Sequence, residues 1–82
     1  MTHEQILERL TRIVAETLDI DDLVLEPGMA AADVPGWDSL SHVQIIVAVE
    51  RAFGVRFRTG EIASMANVGE LVSRVATRVG GT

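Results

Sequence analysis

Residues 33–57 read DVPGWDSLSHVQIIVAVERAFGVRF, and the change of character inside this stretch decides the fold. Pro35, Gly36 and Trp37 make a turn-rich approach, Asp38 is a favoured N-cap, and no Gly or Pro interrupts 40–53. The pattern predicts a helix from Ser39 to about residue 53, with Gly54 just beyond its end as a left-handed cap. Neither candidate cap completes a capping box, because three residues after Asp38 stands Ser41 and three after Ser39 stands His42. Charge favours Asp38, since an anion at the positive end of a helix gains roughly 0.3 to 1 kcal/mol. Ser39 then sits in the first turn with its hydroxyl outward, beside orphan N–H groups that suit a phosphodiester.

The helix is apolar nearly all round, so it must be covered on more than one side. His42, Ile45, Ile46, Val49 and Phe53 share one face and are expected in the core. Leu40, Val43 and Val47, with Ser41, Gln44 and Arg51 beside them, form a second face too apolar for idle surface. This second face is the expected partner surface.

Before this stretch, Thr2-His3-Glu4-Gln5 reads as a capping box, followed by an apolar stripe at Ile6, Leu7, Leu10, Ile13, Val14 and Leu18. An amphipathic first helix follows from that pattern. Residues 19–37 form a long connection, with Ile20, Leu23, Val24 and Leu25 expected to anchor it. Its Asp19, Asp21 and Asp22 do not make a calcium loop, because Val24 stands where Gly is required and Ala30 where Glu is required. No metal site is expected.

After the stretch, 55–57 is a short extended link whose Phe57 is expected to plug the core. Thr59 is the expected cap of a short third helix, 60 to about 65, with Glu61 in its first turn. Asn67 is the expected cap of a fourth helix, with an apolar stripe at Val68, Leu71, Val72, Val75 and Val79. Residues 79–82 are expected to fray.

At 82 residues the chain makes one domain, 1–82, and hides only about 60 to 65% of the surface its unfolded form exposes. That leaves little room for an internal catalytic pocket. Cysteine is absent, so any thiol chemistry must use an imported thiol. No stretch has the roughly 18 continuous apolar residues that span a bilayer, and the N-terminus lacks a signal-peptide layout, so a cytoplasmic protein without a membrane partner is expected. The net charge of -5 argues against nucleic acid as a partner. The charge is uneven: 1–38 holds nine acids and two Arg, whereas 39–82 holds three acids and five Arg.

Asp38-Ser39-Leu40, preceded by Gly36-Trp37 and followed by an apolar helix ending Glu50-Arg51-Ala52-Phe53-Gly54, resembles the attachment motif of acyl carrier proteins. The likeness covers most of the chain, with one helical segment before the serine and two after its helix. It implies an all-α four-helix bundle with a long loop between helices 1 and 2 and a short third helix. It implies that Ser39 carries 4'-phosphopantetheine, attached covalently from coenzyme A, and that Asp38 and Leu40 are read by the phosphopantetheinyl transferase. Further partners would be acyl-loading, condensing or tailoring enzymes, and the chain would be a monomer and not itself an enzyme. Fatty-acid carriers place several acids along the second helix; here Ser41 and Gln44 replace them and Arg51 has the opposite sign. The Gly-Trp approach is more similar to stand-alone carriers of polyketide or other specialised pathways.

Other readings compete. Aminoacyl or peptidyl carriers share the fold but tend to place His or Asp after Gly-Gly before the serine, so Gly36-Trp37-Asp38 leans toward an acyl load. A catalytic Ser39/His42 pair has the right helical spacing, but it wants an orienting third group and an oxyanion hole. The Gly80-Gly81 terminus suggests a ubiquitin-like modifier, but those proteins are built on alternating strands. In a plain helical interaction module Ser39 would be only a cap.

Overall fold

The computed structural model describes residues 2–65 and 67–80. Its elements are α1 (His3–Leu18), a 3-10 turn (Ala31–Asp33), α2 (Ser39–Phe53), α3 (Thr59–Ser64) and α4 (Val68–Gly80). The fold is all-α, with the long loop and short third helix expected. Helix α1 packs against both α2 and α4.

Local signals set most of the helix ends. The Thr2 hydroxyl accepts the Gln5 N–H at 3.1 Å while the Gln5 side chain accepts the Thr2 N–H at 2.9 Å. This reciprocal pair satisfies two donors that the first turn of α1 would otherwise leave bare. At the other end Asp19 adopts a left-handed conformation with φ 56°. Gly54 does the same after α2, with φ 65°, and its N–H returns to the Glu50 carbonyl.

Ile6, Leu10 and Val14 of α1 meet Ile45, Ile46 and Val49 of α2 and Val68, Leu71, Val72 and Val75 of α4 in a single core. Each such side chain contributes roughly 1.5 to 3 kcal/mol by leaving water. His42 and Phe53, expected in this core, lie half-buried at its edge.

The long loop is held at both ends of its course. Leu25 and Val34 are buried and Ile20, Leu23 and Met29 partly so, whereas Val24 is 70% exposed and is not an anchor. The loop also completes α4: the Val68 N–H donates to the Met29 carbonyl and the Gly69 N–H to the Pro27 carbonyl, both at 2.8 Å. Asn67 Oδ1 accepts the Glu70 N–H at 2.8 Å, so the expected cap is in place. Three orphan donors of α4 are thereby satisfied, two of them by the loop.

Besides His42 and Phe53, three expectations need correction. Helix α3 starts one residue earlier than its sequence suggests, so Thr59 lies inside it; the Glu61 carboxylate accepts the Arg58 N–H at 3.0 Å and makes Arg58 the boundary. Val55 is the buried residue of the 55–57 link, while Phe57 is half-buried with the Arg78 guanidinium 4.7 Å from its ring centre. Val24 faces solvent, as noted. In the tail assigned to 79–82, Val79 and Gly80 continue α4, and 81–82 fall outside the described residues.

Candidate functional site

The loop arrives at α2 through a turn that its residue types dictate. The Trp37 N–H donates to the Val34 carbonyl at 3.2 Å, with Pro35 and Gly36 between them and Gly36 at φ 87°. Proline first and a left-handed glycine second is the requirement of a type II turn. The turn drops Trp37 into the core, where it is 9% exposed, and brings Asp38 to the head of the helix.

Asp38 is the cap. Its Oδ1 accepts the Ser41 N–H at 2.9 Å and its carbonyl accepts the His42 N–H at 2.8 Å. The Ser41 backbone N–H, and after it the Ser41 hydroxyl, hold the Asp38 carboxyl below its ordinary 3.8, so it is charged at neutral pH. Because Asp38 serves the first turn, the Ser39 hydroxyl is left for other chemistry. Ser39 is the first residue of α2 and is exposed.

Trp37 and His42 close the site from beneath. The indole N–H donates to His42 Nδ1 at 3.0 Å, and the rings stack with centroids 6.1 Å apart. This arrangement occupies the His42 lone pair that a Ser39/His42 catalytic pair would need. Beside the two rings, Ala31, Met65, Asn67, Val68 and Leu71 complete a cavity of about 20 Å³, room for one water.

The expected partner face is exposed along α2. Leu40 is 70% exposed, Val43 55% and Val47 41%; Gln44 and Arg51 are also exposed, and Ser41 is half-buried beside the cap. The helix therefore separates Ile45, Ile46 and Val49 from an apolar stripe that begins next to Ser39.

Sequence reasoning missed three contributors. The Pro27–Gly69 contact, the Trp37–His42 bond and the ion cluster around Glu61 all join distant or unlike residues, and only Gly69, a glycine inside an otherwise regular helix pattern, carried a readable signal.

A fold of this kind, with a free serine at the head of its second helix, is that of a small carrier domain. The family model for the phosphopantetheine attachment site matches residues 8–75. An acyl carrier protein of Acidothermus cellulolyticus is 34% identical over 93% of this chain and 90% of its own length. One from Thermosynechococcus vestitus is 30% identical over 96% of this chain and 98% of its own. The solution structure of a holo acyl carrier protein from Geobacter metallireducens superposes with a TM-score of 0.85 at 36% identity, covering 93% of this chain and 87% of that one. The chain belongs to the acyl carrier protein family.

Proposed function

We propose that this chain holds acyl groups as thioesters on 4'-phosphopantetheine joined to the Ser39 oxygen and presents them to biosynthetic enzymes. The observation that carries this reading is the division of labour at the head of α2: Asp38 caps the helix, and the exposed Ser39 hydroxyl is released from that task. The residues present fit the group. A phosphodiester on Ser39 would lie at the N-terminus of a 15-residue helix, whose dipole offsets the nearby Asp38 charge.

In loading, the Ser39 oxygen gives its proton to a base of the phosphopantetheinyl transferase and takes the phosphorus of phosphopantetheine from coenzyme A, with the adenosine bisphosphate portion leaving. Asp38 and Leu40 flank the serine, exposed, where that enzyme can read them. When bound, the group supplies a terminal thiol that carries the acyl load. The chain's own residues hold the tether at a fixed point, and tethering raises the effective concentration of the load at whichever enzyme has docked. Leu40, Ser41, Val43, Gln44, Val47 and Arg51 form the docking face, with acyl-loading, condensing or tailoring enzymes as partners.

The chain is a carrier and not a catalyst, since the only base near Ser39 on α2, His42, is engaged by Trp37. It works as a monomer in the cytoplasm; among the described residues no helix is long and apolar enough to cross a membrane. The Ser41, Gln44 and Arg51 face favours a polyketide or other specialised pathway over a fatty acid synthase. The test is whether Ser39 alone accepts the phosphopantetheinyl group and whether its thiol is then acylated.

A further inference from the structure

The stripe of exposed apolar residues on α2 ends in a groove of about 510 Å³ lined by Val47, Glu50, Arg51, Gly54, Val55 and Arg56. Arg51 and Arg56 are both exposed. Among the described residues neither lies within 4.0 Å of a carboxylate, whereas Arg74 and Arg78 are bound up with Glu61 and Glu70. Glu50, the one acid of the groove, is half-buried and turned to the backbone, where it accepts the Phe57 N–H at 2.9 Å. Arg51 stands in the last turn of α2, where a cation also suits the helix dipole. Arg56 lies beyond the helix, so the dipole does not account for it.

The docking face is thus polarised along its length. Asp38 stands at the serine end and Arg51 about 20 Å away, at 1.5 Å per residue of helix, with Arg56 just past the end of α2. We infer that the groove at the C-terminal end of α2 docks an acidic protein surface, whose carboxylates meet Arg51 and Arg56 while an apolar side chain seats on Val47. This rests on the carrier reading and specifies its partners. Opposite charges at the two ends of the face also fix which way round a partner lies, so that its active site meets Ser39. A protein surface fits better than nucleic acid or an anionic membrane, because the arginines border the exposed apolar stripe of Leu40, Val43 and Val47.

The test uses two synthetic helical peptides that share one apolar face, flanked by Glu in one and by Lys in the other. Each is titrated into the ¹⁵N-labelled, phosphopantetheine-loaded protein. The Glu-flanked peptide should move the amides of Val47, Arg51 and Arg56 and bind about tenfold more tightly at low salt, a preference lost near 1 M salt, where the Debye length is about 3 Å. Arg51→Glu/Arg56→Glu, two exposed changes whose fold is checked by circular dichroism, should reverse the preference. Equal binding, tighter binding of the Lys-flanked peptide, or shifts confined to other amides would overturn the inference. So would stronger shifts at these amides with phosphatidylserine vesicles than with the Glu-flanked peptide. Loading at Ser39 is scored separately by intact mass: failed loading rejects the carrier reading, and a loaded protein without the preference rejects only the acidic partner.

Discussion

The indole N–H of Trp37 donates to Nδ1 of His42 across 3.0 Å, joining the end of the long loop to the first turns of α2. His42 is therefore a structural acceptor. His42→Ala should cost about 1 kcal/mol, the order of one hydrogen bond, and should change the Trp37 emission by removing the partner of its N–H. Loading of Ser39 should persist in this variant. Loss of loading in a protein that remains folded would show that His42 takes part in the chemistry.

Glu61 gathers the Arg58 N–H and the guanidinium groups of Arg74 and Arg78. The Arg58 backbone bond first, and then Arg78, lower its pKa from 4.5 to about 2. A carboxyl depressed in the folded state stabilises above its unfolded pKa and loses that contribution as pH falls through the folded value. Glu61→Gln should therefore be less stable than the parent at pH 7. The gap should narrow from about pH 4.5 and close near pH 2 in urea unfolding measured across that range.

Gly69 shows what a single missing methyl permits. A Cβ there would stand 2.9 Å from the Pro27 carbonyl oxygen, the acceptor of the Gly69 N–H itself. In an open helix Gly→Ala would gain about 1 kcal/mol. Here the clash pushes the loop away from α4, and Gly69→Ala should be net destabilised by about 1 to 3 kcal/mol in chemical denaturation.

The two faces of α2 make opposite predictions for one substitution. Ile46 is 1% exposed, so Ile46→Asp buries an unpaired charge and should abolish the cooperative unfolding transition. Val47 is 41% exposed, so Val47→Asp should keep the helical circular dichroism spectrum while lowering turnover by cognate acyl-handling enzymes. A well-folded Ile46→Asp variant would mean that the helix is rotated from the orientation described.

Much of this was legible because helix ends are written within three or four residues. Thr2 and Gln5, Asp38 before Ser39, Gly54 and Asn67 each announce a boundary that the backbone then obeys. The interior stripe of α4 was equally plain. Thr59 misled because the same short-range logic was satisfied from the other side, by Glu61 reaching back to Arg58. Val24 misled because apolar residues in an extended loop alternate, and its neighbours Leu23 and Leu25 took the inward positions. What stayed hidden depends on residues far apart in the chain. Arg74 and Arg78 reach Glu61 across 13 and 17 positions, and Pro27 meets Gly69 only once the loop has crossed the head of α4. Ser39 could be located, and charge already favoured Asp38 as the cap that leaves the Ser39 hydroxyl available; the Ser41 N–H donating to Asp38 Oδ1 shows that assignment.

Attachment at Ser39 is decided by the intact mass of the protein before and after incubation with coenzyme A and a promiscuous phosphopantetheinyl transferase, alongside Ser39→Ala. One phosphopantetheinyl group should add to the parent and none to Ser39→Ala. No addition to a well-folded parent, or addition to Ser39→Ala, would contradict that attachment.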